Sequence, residues 1–294
     1  MSSPTLAARR SVLADYLELT KPRITLLVVL TTWVGFVTAS ASVRGAGGRL
    51  ASTLVGTGLV AAGASALNQV LERASDALMN RTRSRPIPAG RIRPVEAALF
   101  GLLLTAAGLA LLAALGGALA ALVAFATWAS YLFLYTPLKR RTHLATLVGA
   151  VPGALPPVIG WAAASGRLEP GAFILFAIVF LWQIPHFLAI AWLYREDYER
   201  GGIQVLPVID REGVLTGRQA VLHSVALLVV SLAPVAAGLG GTLYLAGAVV
   251  LGVALTLASL RLARARDLAA ARFLFLASVL YLPALTSLLL LANL

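Results

Sequence analysis

Cysteine is absent from the 294 residues. That excludes disulfides and thiolate chemistry, and leaves only oxygen and nitrogen donors for any metal site. Charge is scarce too: 12% of residues are Asp, Glu, Lys or Arg, against about a quarter in an ordinary soluble domain. Acid is the scarcer sign, 12 residues against 24 basic ones, for a formal net charge of +12. What fills the chain is apolar, 59% of residues, with a mean hydropathy of +0.87. The apolar residues fall in runs of about 20, the length that crosses a bilayer core. They lack the period-two alternation of an outer-membrane barrel. These features predict an all-α polytopic membrane bundle, one domain over 1–294 with a polar tail at 1–20.

Nine transmembrane segments are expected, at 24–43, 51–72, 95–115, 118–135, 144–164, 171–194, 219–239, 242–260 and 273–291. Small residues recur inside them (GLVAAGASA, GLLLTAAGLALLAALGGALAA), which suits close helix packing in lipid. Pro152, Pro156 and Pro157 are expected to interrupt the fifth segment, and Pro185 lies inside the sixth. All of the Lys and Arg except Arg44, Arg49 and Arg167 fall on one side of this scheme, and all of the acids except Glu169. By the positive-inside rule that side, with the N-terminus, is cytoplasmic and the C-terminus is outside. The basic excess is therefore topological and calls for no nucleic acid. Arg9-Arg10 is followed by Asp15 and Glu18 rather than an apolar core, so the first run reads as a retained span and not a cleaved leader.

Two charged constellations stand at that cytoplasmic side. The first is LNQVLERASDALMNRTRSRPIPAG, residues 67–90. Asn68, Glu72 and Asp76 are four apart, offset by only about 40° on a helix, and so form one oxygen-bearing stripe. Arg81, Arg83, Arg85 and Arg91 follow. Oxygen ligands beside arginines suit Mg²⁺ bridging carboxylates to phosphate oxygens. An interfacial helix end with a topology-setting basic loop accounts for the same residues. The second is WLYREDYERGGIQVLP, residues 192–207, with Arg195, Glu196, Asp197, Tyr198 and Arg200. Alone it reads as an aromatic-belt loop; two acid-and-arginine loops on one face point to a shared cavity.

Three histidines remain. His186 lies in WQIPHFLAIAW beside a helix proline, where an imidazole serves either a haem or simple packing. His143 reads as interfacial and His223 carries no clear message. Lys21 and Arg23, flanking Pro22, read as anchors of the first span.

The motifs together resemble the intramembrane aromatic prenyltransferase superfamily typified by 4-hydroxybenzoate polyprenyltransferase, and within it the protoheme IX farnesyltransferase (haem O synthase) group. The likeness runs through DYLELTKPRIT, LNQVLERASDALMNRTRSRPIPAGRI, YTPLKRRT, GALPPVIGW and WQIPHFLAIAWLYREDYERGGIQVLPV, in order. Against the superfamily's N-D-x-x-D-x-x-x-D motif, Asn68 and Asp76 match, while Gln69 and Glu72 replace the first two aspartates. Against its D-x-x-x-D motif, Tyr194 and Tyr198 stand at the aspartate positions, with Glu196 and Asp197 between them. The resemblance implies transfer of farnesyl from farnesyl diphosphate to a vinyl group of haem b, with water addition, by a Mg²⁺-dependent enzyme of the bacterial inner membrane. It implies Asn68, Glu72, Asp76, Glu196 and Asp197 as metal or metal-water ligands. Arg195 and Tyr198 join the catalytic set, and Arg81, Arg85, Arg91, Lys139, Arg140 and His186 the substrate contacts. One Mg²⁺ would be firmly held and a second weakly, with Arg195 taking part of its charge role. Haem A synthase or terminal-oxidase assembly factors are the implied partners. A quinone precursor as acceptor, and a small-molecule transporter, are the competing expectations.

Overall fold

The computed structural model describes residues 11–40 and 46–291; Arg9-Arg10, Arg44 and the end of the first expected segment lie outside them. Among the described residues there are helices and no strands. Among the described residues nine helices are long and apolar enough to cross a membrane: Pro22–Ala39, Gly47–Leu78, Pro94–Gly116, Ala118–Leu138, Ala145–Ser165, Pro170–Leu193, Val214–Ala236, Thr242–Ala265 and Leu268–Leu291. We call these the first to ninth spans. A short amphipathic helix, Val12–Leu19, precedes them, and a short charged one, Arg195–Arg200, follows the sixth.

The small residues earn their places at helix crossings. A Cβ on Gly35 would collide with the Pro157 carbonyl, and one on Gly160 with the Thr32 carbonyl, so the first span and the second half of the fifth touch backbone to backbone. Gly56 and Gly63 face Gly108 and Gly101 across the second and third spans in the same way. Lipid tails are as apolar as leucine, so this packing and a few inter-helix hydrogen bonds replace the hydrophobic drive. Trp182 Nε1 donates to the Ser278 carbonyl at 2.7 Å, and Gln183 Nε2 to the Ala150 carbonyl at 3.2 Å. The sixth span is thereby fixed to the ninth and the fifth.

Prolines shape the fifth and sixth spans differently. The fifth breaks after Ala154 and restarts at Pro156, whereas Pro152 sits inside its first half. The sixth runs unbroken through Pro185. Two wide π turns occur, at Leu112–Gly116 and Ser130–Tyr135. The second span decides the position of the site. Its 32 residues measure about 48 Å at 1.5 Å per residue, well beyond a hydrocarbon core of about 30 Å. Its last turns carry the polar stripe out of the membrane zone and under the 79–93 loop.

Candidate active site at the charged end of the bundle

Asn68, Glu72 and Asp76 share one face of the second span, and all three are buried, with Gln69 and Ser75 beside them. Burial of two carboxylates is tolerated only with partners, and each has one. Arg85 Nη1 donates to both oxygens of Asp76, at 2.8 and 2.7 Å. Lys139, at the end of the fourth span, forms an ion pair with Glu72. Asn68 Nδ2 donates to Glu72 Oε2 at 2.9 Å, and Asn68 Oδ1 accepts from Thr136 Oγ1 at 3.0 Å. Thr136 follows directly on the Ser130–Tyr135 π turn, which presents its hydroxyl to Asn68. Arg140 donates to Ser75 Oγ from Nη2 at 2.6 Å and from Nε at 3.1 Å.

Asp197 joins the two loops. Its carboxylate accepts from the backbone N–H of Asn80 at 3.2 Å and of Arg81 at 3.0 Å, and pairs with Arg200. Burial acts to raise Asp197, but the Arg200 guanidinium and those two N–H groups hold it below the usual carboxylate range. Arg81 lies over the rings of Tyr194 and Tyr198, 5.3 and 5.5 Å from their centroids, and reaches Tyr198 Oη at 3.4 Å. The second constellation thus meets the first, 117 residues apart in sequence.

Other expected residues sit elsewhere. Arg91 pairs with Asp15 at 2.8 Å and Glu18 at 3.5 Å, and donates to the Ser84 carbonyl, so it fastens the N-terminal helix to the 79–93 loop. Arg195 is exposed and lies over Trp192 at 5.1 Å, and Glu196 is exposed beside it. His186 is inside the bundle, stacked between Trp182 and Phe275 with centroids at 4.9 and 5.3 Å, its Nδ1 2.8 Å from Ser278 Oγ. Only Nε2 remains for a further partner.

Sequence reading passed over Ser75 and Thr136, and took Lys21 as an anchor of the first span. Burial, then Arg85, pushes Lys21 down to about 7, partly opposed by Asp76. Burial, then Lys21 and Arg140, pushes Lys139 down to about 7 as well. The mouth therefore holds five cations, Lys21, Arg81, Arg85, Lys139 and Arg140, around two buried carboxylates. Among the described residues no three of His, Cys, Asp and Glu cluster as a metal shell. The arrangement has the chemistry of a polyanion site completed by a cation shared with that anion.

Comparison with known proteins identifies the family. The chain matches the UbiA prenyltransferase family over residues 28–279. It is 48% identical over 287 residues to a protoheme IX farnesyltransferase of Solibacter usitatus, covering 94% of this chain and 98% of that one. Its fold resembles that of a digeranylgeranylglyceryl phosphate synthase, with a TM-score of 0.78 at 18% identity, over 96% of this chain and 98% of that one. It also resembles a UbiA homolog from Archaeoglobus fulgidus bound to GPP and Mg²⁺, with a TM-score of 0.67 at 18% identity, over 94% and 99% of the two chains. The chain belongs to the UbiA prenyltransferase family.

Proposed function

We propose that the protein transfers the farnesyl group of farnesyl diphosphate to a vinyl group of haem b, with addition of water, giving haem O and diphosphate. The observation that carries this is the meeting of five cations and two buried carboxylates at one mouth of an apolar bundle. The haem acceptor is supported by the name and full-length similarity of the Solibacter relative.

The donor set fits Mg²⁺. Every candidate ligand offers oxygen, and one or two carboxylates plus substrate phosphates is how Mg²⁺ is commonly held. Gln69, where the superfamily motif has an aspartate, donates Nε2 to the Leu19 carbonyl at 2.9 Å. Its Oε1 is left buried without a hydrogen-bond partner among the described residues. Glu72, Asp76 and Asn68 would hold the ion, with Asp197 and Glu196 on the facing loop as further candidates. Bound there, Mg²⁺ supplies Lewis-acid neutralisation of diphosphate charge.

The chain's own residues do the rest. Arg81, Arg85, Lys139 and Arg140 receive the diphosphate and stabilise the charge that grows on it as the allylic C–O bond breaks. The bond's electron pair leaves with the diphosphate, and the vinyl π pair then forms the new C–C bond to the farnesyl carbon. Water adds to the resulting cation and loses a proton. The apolar interior of the bundle suits an isoprenoid chain and excludes water until that step. His186 belongs to the proposal as a haem contact through Nε2. An unchanged haem spectrum in His186→Ala removes it.

The charged mouth faces the cytoplasm of a bacterial inner membrane on this reading. Haem A synthase or terminal-oxidase assembly factors would take the product onward. The test is release of diphosphate from farnesyl diphosphate with haem b and Mg²⁺ present. Asp76→Ala should lower its rate by about 100-fold or more, the usual loss on removing a charge-stabilising group. Release that persists at the wild-type rate overturns the assignment of the site.

A further inference from the structure

Lys21 breaks every local preference at its position. It is the N-cap of the first span, with Pro22 at the first helical position. An N-cap is normally Ser, Thr, Asp or Asn, whose oxygen accepts from the first free N–H groups. Lysine offers no acceptor, and Lys21 makes no side-chain cap bond. Its backbone is left-handed, φ 47°, and among the described residues only Arg266 is another non-glycine with positive φ. L-residues with long side chains rarely enter that region. Its charge also stands at the positive end of the helix dipole.

The fold nevertheless holds it there. Gln69 donates to the Leu19 carbonyl at 2.9 Å, two residues before Lys21, from within the polar stripe. Thr25 Oγ1 donates to the Thr20 carbonyl at 2.7 Å, and Arg91 grips Asp15 one helix back. These contacts hold Lys21 near the charged end of the second span, within electrostatic range of Asp76, Arg81, Arg85 and Lys139. Every other cation of the cluster is partnered: Arg85 by Asp76, Lys139 by Glu72, Arg140 by Ser75, Arg81 by Tyr198. The Lys21 ammonium alone has no hydrogen bond or ion pair among the described residues. A part-buried cation crowded by arginines, with no ion pair of its own and only the Arg85-bound Asp76 to offset them, is unfavourable until an anion arrives.

We propose that Lys21 is a binding residue for the diphosphate of the isoprenoid substrate, the donor in the cluster that has no hydrogen bond or ion pair of its own among the described residues. This rests on the reading of the cluster as a diphosphate site. Its competitor is a lysine that only anchors the first span at the interface, a task its exposed neighbour Arg23 performs equally well.

The experiment uses the full-length protein in lipid nanodiscs, with inorganic diphosphate and Mg²⁺ as the calorimetric probe and farnesyl diphosphate for kinetics. Lys21→Met and Lys21→Gly should weaken diphosphate binding about 10- to 100-fold, the range expected for one charge-assisted hydrogen bond. KM for farnesyl diphosphate should rise by a similar factor with little change in kcat. Lys21→Gly keeps the left-handed turn at no steric cost, which separates lost binding from lost folding. Lys21→Arg should restore part of the affinity, and Arg23→Gln should leave both readouts unchanged. Equal binding by wild type and Lys21→Gly overturns the proposal, as does an Arg23→Gln loss of the same size. A wild type that binds no diphosphate overturns the site reading itself, and the role of Lys21 with it.

Discussion

At the scale of single residues, each charge at the mouth is defined by its partner. Asp76 and Arg85 are so closely joined that losing one strands the other. Asp76→Ala should cost about 3 kcal/mol of stability, as breaking a buried pair does, whereas the double variant Asp76→Ala/Arg85→Met should recover much of it. Thermal unfolding of both in matched detergent checks this, and a double variant no more stable than the single one contradicts it. Lys21 gives a pH signature. Its folded pKa is lowered to about 7 from 10.5, so at pH 8 the amine is largely neutral. An anion beside it favours the charged form and draws the pKa back up. Diphosphate binding at pH 8 should therefore take up protons and weaken as pH rises further. Calorimetry in buffers of different ionisation enthalpy reads the uptake, and a heat independent of buffer refutes it. The acidic stripe was legible in the sequence because helical spacing alone stacks Asn68, Glu72 and Asp76. Arg91 was not, because loop arginines look alike until Asp15 and Glu18 select one of them. Lys21 read as a span anchor because its left-handed backbone is imposed by contacts distant in the chain.

At the scale of elements, span number and order are readable from apolar runs, and span ends are not. The second helix continues six residues past the expected end at 72, where Ser75 and Asp76 face protein rather than lipid. The seventh starts at Val214, ahead of the expected 219, since Arg218 and Gln219 sit on a helix already under way. The helix crossings carry their own prediction. Gly160→Val puts a branched side chain against the Thr32 carbonyl and the Phe36 N–H, where only backbone could yield. Overpacking of that kind costs about 1–3 kcal/mol or more, so the melting temperature should fall by several degrees. Gly48→Ala, with nothing within 4 Å, should leave it unchanged or raise it. Equal melting of the two variants would show that the first and fifth spans do not meet as closely as described.

For the whole molecule, the decisive arrangement is the convergence of two loops that four spans separate. Asp197 clamping the backbone at Asn80 and Arg81 is invisible to any local pattern, though the shared sidedness of both loops was visible in the charge distribution. That sidedness can be tested simply, because the chain has no cysteine. Arg83→Cys should react with an impermeant thiol reagent only from the cytoplasmic side, and Arg167→Cys only from outside. Labelling of both from one side contradicts the topology. The central claim is farnesyl transfer to haem at the charged mouth, and one measurement addresses it most directly. Purified protein is incubated with haem b, farnesyl diphosphate and Mg²⁺, and the extracted haem is analysed by mass spectrometry, with Asp76→Ala alongside. The account predicts a haem heavier by a farnesyl group plus water, absent in the variant and absent without Mg²⁺. Unmodified haem from a preparation that still consumes farnesyl diphosphate would contradict it and assign the farnesyl group to another acceptor.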